Sequence, residues 1–383
     1  MDHTPPYPAL PATGAPHAQP HRVLTRGAAL CGVLSLLIIG ADLGPTAFAL
    51  GLAIAVVPVP VYVALALWID RFEPEPARTL AQTFAWGATV AVFVSLVVNG
   101  LVQGLLDVVL GLEMGEVAGA VLTAPIVEEL AKGLALLLLF SELRDEFDGV
   151  VDGVVYASMV GLGFAMVENV QYYGQAVAEG TETSVLTFIL RGLLAPFAHP
   201  LFTSMFGIGL GMVREGHHQA RGWAAAAFGL SMAMGLHALW NLSASIEGWF
   251  VLLYALVMVP AFLAVLWVVR RSLDREGRVI RQHLEHLVHS GTLPPAEFEC
   301  LCRVRTRLGA SALAFRRGGL ARWRMRRELH RMASELAFHR WRIQRGLSRG
   351  PEADAAREAE YTQRLLDLCH SLDVRAAPGR SGS

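Results

Sequence analysis

Three residues that could transfer protons or bind a cation lie close together in an apolar stretch of the chain: Glu128, Glu129 and Lys132. Lys132 is the only lysine among the 383 residues. On a helix it follows Glu129 by three residues and Glu128 by four, so its ammonium group can reach either carboxylate. Because a helix has 3.6 residues per turn, the two glutamates point about 100° apart. One of them can therefore face a reaction centre while the other pairs with the lysine.

Polar residues of similar kinds lie in the next three apolar segments. Glu168 and Asn169 are in the first, His199 is in the second, and His237 with Asn241 is in the third. Two imidazoles and a carboxylate can hold Zn²⁺ through three protein ligands and leave a further glutamate as general base. The same groups could also work without metal, with a glutamate activating water and a histidine or asparagine stabilising the oxyanion. Both mechanisms stay open from the residues alone.

Each histidine also has a polar neighbour on its own helix. Asn241 lies four residues after His237, and Thr203 lies four residues after His199, so each pair shares a helix face. A hydrogen bond within such a pair could set the orientation of the imidazole.

Charged side chains are costly inside a membrane, at about 2.5–3.5 kcal/mol each at a helix centre. Three glutamates and one lysine in the middle of apolar segments therefore cost on the order of 10 kcal/mol before they pair. Such residues normally face the bundle interior or a watery cavity and pair with one another. We therefore expect four consecutive helices to bring these groups to one hydrated pocket.

The elements that must position these residues are membrane-spanning helices. The chain is 54% hydrophobic and only 17% charged, which is typical of a membrane protein. A span needs about 20 apolar residues, and windows of this kind recur over the first 270 positions. They predict an all-α fold: a polytopic transmembrane helical bundle of about eight spans with a cytoplasmic helical C-terminal tail. The windows lie near 27–43, 46–69, 80–102, 117–140, 150–173, 190–213, 222–245 and 249–269.

Loop charges predict the orientation in the membrane, since arginine and lysine collect in cytoplasmic loops. One set of alternate loops carries the arginines Arg22, Arg26, Arg71, Arg78, Arg144, Arg214, Arg221, Arg270 and Arg271. The intervening loops carry the acidic residues Asp42, Glu113, Glu116, Glu179, Glu182 and Glu247. The pattern predicts a multi-pass protein of the cell membrane with both termini in the cytoplasm.

Three regions follow from these patterns. Residues 1–25 are rich in proline and predict a disordered cytoplasmic tail. Residues 26–270 hold the spans, and residues 271–383 form an arginine-rich helical tail with breaks at Gly291–Pro295, Gly318–Gly319 and Gly350–Pro351. Its basic segment 316–331 could lie on anionic lipid or be a solvated helix face. Four scattered cysteines indicate ordinary helix residues in a reducing compartment, and no feature suggests nucleic acid.

As an ordered set, several motifs resemble the PrsW family of intramembrane proteases, which is related in motif logic to the CAAX-prenyl endopeptidases. The resemblance covers about residues 55–270. It rests on Glu128-Glu129-x-x-Lys132, Phe164-x-x-x-Glu168-Asn169, His199, His237 with Trp240 and Asn241, and the segment from Asp70 to Pro76.

The resemblance implies cleavage of a membrane-anchored protein substrate, such as an anti-sigma factor, by a metal-dependent intramembrane endopeptidase. The catalytic set would then be Glu128, Glu129, Lys132, Glu168, Asn169, His199, His237 and Asn241. His199, His237 and Glu168 would be the metal ligands, with Zn²⁺ as the cofactor.

Other functions remain open at this stage. A proton-coupled transporter would also place carboxylates and histidines in the membrane, although no internal repeat of the kind common in transporters relates residues 27–140 to 150–269. A non-catalytic scaffold could retain the same polar residues. Outside the predicted site, Arg191 is expected to pair with Glu182 or to bind a lipid headgroup, and Asp152 to lie at the membrane interface.

Overall fold

The computed structural model describes residues 27–70, 72, 74–143, 146–216, 219–246, 248–346 and 350–372. These residues form α-helices and contain no strand. The predicted tail 1–25, and the loop charges at Arg71, Arg144 and Glu247, lie outside the described residues. The helices are α1 (Ala28–Leu43), α2 (Pro45–Val56), α3 (Val59–Ile69), α4 (Ala77–Trp86), α5 (Val92–Leu110), α6 (Leu112–Ala118), α7 (Ala124–Glu142), α8 (Val150–Glu179), α9 (Thr181–Thr187), α10 (Ala198–Glu215), α11 (Gln219–Ser245), α12 (Trp249–Leu253), α13 (Val259–His289), α14 (Pro295–Leu301), α15 (Val304–Gln344) and α16 (Pro351–Ser371).

Six helical segments within the described ranges are long and apolar enough to cross a membrane, which confirms a multi-pass membrane protein. They are Pro45–Ile69, Ala77–Leu110, Val150–Glu179, Thr181–Glu215, Ala220–Ser245 and Trp249–His289. Each corresponds to one of the eight predicted windows. Of the other two windows, the first is the shorter apolar helix α1. The second holds α7, which carries three charged residues, Glu128, Glu129 and Lys132.

Proline causes local widening of several helices. Stretches of π-helical turns lie at Gly87–Ala91, Gly119–Thr123, Phe188–Leu194 and Tyr254–Met258. The last three each end two residues before a proline, namely Pro125, Pro196 and Pro260. Proline has no N–H and its ring collides with the carbonyl of the preceding turn, and a wider turn relieves both problems. Each widened turn also changes which way the flanking side chains point.

Helix α8 is the centre of the membrane bundle: 94% of its most apolar window is buried. It packs against α2, α4 and α10. Glycines allow the close approach to α10, because a methyl group added at Gly207 would overlap the backbone carbonyl of Gly153. One added at Gly161 would lie 2.7 Å from the backbone nitrogen of Pro200. At its start, α8 is capped by Asp152, whose Oδ2 accepts hydrogen bonds from the N–H groups of Asp148 and Gly149.

The helices that follow the last span form a second core. The breaks predicted near Gly291, Gly318–Gly319 and Gly350 coincide with helix ends or a kink. Leu284, Leu329 and Leu336 are among the residues fully buried in this core. Phe72, from the loop between α3 and α4, is buried in it as well. The C-terminal helices therefore pack against the membrane bundle through this loop.

Candidate active site

The predicted site residues lie on α7, α8, α10 and α11, and the structure packs these four helices together. Helix α7 contacts α8, α10 and α11, and α10 contacts both α8 and α11. Polar side chains from all four helices meet in the interior of the bundle. Most of them are almost completely buried, so their partners must come from the protein.

Glu129 has a full set of partners at the centre of this group. Its Oε1 lies 2.6 Å from Nζ of Lys132 and 3.1 Å from Nδ1 of His237. Its Oε2 accepts a hydrogen bond from Oγ1 of Thr203 at 2.8 Å. Each oxygen of this carboxylate is therefore satisfied, and Glu129 joins α7 to α10 and α11.

The orientation of His237 follows from its contact with Glu129. With the proton on Nδ1, the imidazole donates to Glu129 and leaves the lone pair of Nε2 free. That Nε2 lies 3.7 Å from Oε2 of Glu128. The ring stacks on Phe202, with centroids 5.0 Å apart and planes inclined by 22°. A carboxylate that holds the far nitrogen of a histidine is the usual outer partner of a metal-binding imidazole.

His199 lies between Lys132 and Glu168. Its Nδ1 is 3.0 Å from Nζ of Lys132, and its Nε2 is 3.0 Å from Oε2 of Glu168. The imidazole rings of His199 and His237 meet edge to face, with centroids 5.0 Å apart. Lys132 also lies 4.2 Å from the centre of the Phe164 ring.

Arg191 pairs with Glu168, so its predicted pairing with Glu182 is wrong. Its Nη2 forms an ion pair with Oε2 of Glu168, and its Nε donates to Oδ1 of Asn169 at 2.7 Å. The side chains of Glu168 and Arg191 are 17% and 19% exposed, more than those of the other ion-paired residues of the group. The site is therefore most accessible on the side of these two residues.

Arg191 was missed as a site residue because it lies in the π-helical stretch Phe188–Leu194. A regular helix drawn through this segment gives its side chain the wrong direction. The signal that could have found it is Pro196, two residues beyond that stretch, which predicts a distorted turn.

The expected same-helix partners of the two histidines are also wrong. Asn241 donates to the backbone oxygen of Ala120 at 2.8 Å, so it ties α11 to the stretch before α7. Thr203 donates to Glu129 rather than to His199. Both residues lie close to the site, but they stabilise helix packing and the central carboxylate. The histidines are held by acidic and basic groups from other helices.

Three ligand atoms suited to a metal ion converge at the bundle interior. One each from Glu128, His199 and His237 lie within 4.8 Å of one another. Glu168, expected as a ligand, lies outside this group and contacts only His199 of the two histidines.

Two observations show that these residues fit a divalent cation. Oε2 of Glu128 is buried and has no hydrogen-bond partner, although Lys132 and His237 each lie 3.7 Å away. In addition, three carboxylates, those of Glu128, Glu129 and Glu168, share two cationic side chains. A buried carboxylate without full compensation is costly, and a bound cation would offset that cost.

Comparison with known proteins supports the same region. Residues 75–265 match the model of a family described as PrsW family intramembrane metalloprotease. This range includes every residue of the group described above. No curated protein and no solved structure gives a significant match to the chain.

Proposed function

Because residues 75–265 belong to the PrsW family of intramembrane metalloproteases and the chain is therefore a peptidase, we propose that Glu128, His199 and His237 bind its catalytic metal. Zn²⁺ is the ion we favour, since imidazole and carboxylate ligands in a three-residue site are typical of catalytic zinc. The observation that carries this proposal is the unpartnered Oε2 of Glu128 beside both imidazoles. A divalent cation bound there would act as a Lewis acid on the scissile carbonyl.

Glu129, Lys132 and Thr203 position these ligands. Glu129 accepts a hydrogen bond from Nδ1–H of His237 and so keeps the lone pair of Nε2 free for the cation. Lys132 neutralises Glu129, and its Nζ lies 3.0 Å from Nδ1 of His199. In this assignment one ring nitrogen of His199 must exchange its present contact, with Lys132 or with Glu168, for the cation when the metal binds. The original set of His199, His237 and Glu168 is thus revised by replacing Glu168 with Glu128.

Glu168 is the residue we assign as general base. It is the most exposed carboxylate of the site, so water and a peptide arriving from the open side meet it first. Arg191 and Asn169 hold the base in place. In peptide hydrolysis the attacking water loses a proton to Glu168, and the leaving amine regains it as the C–N bond breaks. Asn241 acts only through the packing of α11.

The substrate is proposed to be a membrane-anchored protein. A site within the bilayer is expected to act on a segment of another membrane protein, and an anti-sigma factor with a single span is the substrate that the family resemblance favours. We further propose that the enzyme lies in the cell membrane with both termini cytoplasmic, on the basis of the loop charges. The relation to the CAAX-prenyl endopeptidases stays a prediction.

The proposal is tested by reconstituting the full chain in vesicles with single-span test substrates. We expect cleavage by the wild type, and loss of cleavage in Glu128→Gln, His199→Ala and His237→Ala. Glu142→Gln, at the exposed end of the same helix α7, and His289→Ala, at the exposed end of α13, are the matched controls. A zinc chelator should stop cleavage, and added Zn²⁺ should restore it.

Other outcomes would redirect the assignment. Cleavage that resists the chelator would favour the metal-free mechanism, with a glutamate activating water. Proton flux without cleavage would favour the transporter. Wild-type protein that neither cleaves nor transports under conditions where it binds Zn²⁺ would favour a scaffold.

A further inference from the structure

A second group of potential metal ligands lies in the C-terminal helices, far along the chain from the peptidase domain. Glu297 and Cys300 are three residues apart on α14 and share a face. His330 approaches them from α15. The carboxylate, thiol and imidazole ligand atoms lie within 4.8 Å of one another. The group thus combines oxygen, sulfur and nitrogen donors from two helices that are packed together.

His330 contributes one of these ligand atoms and also has a ring nitrogen without a hydrogen-bond partner. The residue is only 6% exposed, and its Nε2 is buried without a hydrogen-bond partner. A buried nitrogen without a partner is unfavourable, and a bound cation would offset that cost.

Arg326 shows that Glu297 and Cys300 attract a cation. Its Nη1 donates to Oε2 of Glu297 at 3.0 Å, and its Nη2 donates to Sγ of Cys300 at 3.2 Å. Burial and the Glu297 carboxylate nevertheless raise the pKa of the Cys300 thiol, so a metal ion that binds there must displace the thiol proton. The same guanidinium must compete with a metal for this oxygen and sulfur. Its removal should therefore strengthen metal binding.

We propose that Glu297, Cys300 and His330 form a second metal site that takes a thiophilic divalent cation of the Zn²⁺ class. Thiolate and imidazole donors select such ions over Mg²⁺ or Ca²⁺, which prefer oxygen ligands. The site is distinct from the catalytic centre, whose proposed ligands include no sulfur. A cation here would clamp α14 onto α15, and α15 contacts the membrane domain through Arg342, whose Nη1 lies 3.3 Å from Oδ2 of Asp148.

Cobalt offers a readout that is independent of proteolysis. The purified full chain is titrated with Co²⁺, whose thiolate complexes give an intense charge-transfer absorption that imidazole and carboxylate ligands do not give. We expect the band to saturate at an absorbance that corresponds to one thiolate-bound Co²⁺ per chain, whether or not the membrane centre also takes up Co²⁺. Cys300→Ser should abolish it, whereas Cys302→Ser, two residues away in the same segment, should leave it unchanged. His237→Ala should also leave it unchanged, so a failure of the catalytic proposal would not affect the result.

Two further variants guard against an effect of misfolding. His330→Gln retains the thiol and should weaken Co²⁺ binding at least about tenfold, with circular dichroism confirming the helix content. Arg326→Gln should tighten it by about tenfold, equivalent to about 1.4 kcal/mol. A band absent from the wild type, or one that persists in Cys300→Ser, would overturn the proposal. So would equal losses in Cys300→Ser and Cys302→Ser, or weaker binding in Arg326→Gln.

Discussion

Glu129 illustrates how a carboxylate can be held in the interior of a membrane bundle. It is 1% exposed and is compensated by Lys132, Thr203 and His237. Breaking a buried ion pair by removing one partner is strongly destabilising, whereas replacing both partners with apolar residues is often tolerated. Stability and catalysis should therefore respond differently to changes at this pair.

The first prediction separates these two effects. Lys132→Met should lower the free energy of unfolding by about 3–5 kcal/mol, because Glu129 is left without its cation. Glu129→Leu combined with Lys132→Met should recover most of that loss but remain inactive, since His237 loses the acceptor that orients it. Thermal unfolding in detergent and cleavage of a test substrate measure the two quantities. An active double variant would contradict the positioning role of Glu129.

A second prediction at the level of single residues tests the role of Arg191 in holding Glu168. Arg191→Lys retains the positive charge beside Glu168 but loses the planar set of donors that also reaches Asn169. We expect kcat to fall about tenfold or more while the content of bound metal stays unchanged, because Arg191 holds the base and not a ligand. Lost metal would instead place Arg191 in the support of the metal ligands.

At the scale of elements, glycine contacts set the distance between α8 and α10. Gly153 and Gly207 face each other with no room for a side chain, and Gly161 lies against Pro200, next to His199. Close backbone approach through small residues is a common way for membrane helices to associate. The position of His199 relative to Glu168 therefore depends on these glycines.

A third prediction concerns this contact. Gly207→Ala should destabilise the protein by about 1–3 kcal/mol, because the added methyl group forces α10 away from α8, and it should reduce activity. Gly235→Ala on α11 is the control, since a methyl group there meets open space and alanine favours the helix by up to about 1 kcal/mol. Thermal unfolding of the two variants measures the difference. Equal melting temperatures would show that α8 and α10 leave room for a side chain at Gly207.

At the scale of the whole molecule, the C-terminal helices are attached to the membrane bundle at one end. Phe72 is buried in their core, and the guanidinium of Arg307 lies 4.4 Å from its ring centre. Arg275 pairs with Glu215 across the same junction. A cavity of about 440 Å³ lies there, between the start of α8 and the helices α13 and α15. The junction thus combines one aromatic anchor with several charged groups.

The aromatic anchor leads to a fourth prediction. Phe72→Ala should cost about 3–5 kcal/mol of local stability, the usual loss for a buried phenylalanine, and should expose the C-terminal helices to limited proteolysis. Phe315→Ala changes a phenylalanine that is exposed on α15 and should leave the cleavage pattern unchanged. Metal binding in the membrane centre should be unaffected by either change. Unaltered protease resistance in Phe72→Ala would show that other contacts hold the junction.

The charged wall of the cavity gives a fifth prediction. Burial raises the pKa of Asp70, just beyond the end of α3, to about 7, against the lowering effect of a hydrogen bond from the Glu75 N–H. A raised acid pKa means that the folded state binds the extra proton, so stability is lost as pH rises from about 4 to about 7. Asp70→Asn should therefore stabilise the protein more at pH 8 than at pH 5. Asp42→Asn, at an exposed position, should show no such trend in thermal unfolding.

The fold class and most of the candidate site residues could be predicted from local properties of the sequence. Apolar windows of span length were enough to predict a multi-pass helical protein. The cost of burying charge in lipid then selected its candidate site residues, which are Glu128, Glu129, Lys132, Glu168, His199 and His237. The family match is consistent with the peptidase assignment. These conclusions need no knowledge of how the helices pack, because hydropathy and charge are read one segment at a time.

The tertiary structure decided which of these residues touch. It placed Glu128 rather than Glu168 beside both histidines, paired Glu168 with Arg191, and gave Glu129 its donors from two other helices. It also brought Glu297, Cys300 and His330 together across two helices. Such contacts depend on the rotation of each helix about its axis. Proline-induced π turns and glycine contacts change that rotation, and the change cannot be calculated from the regular repeat of 3.6 residues per turn.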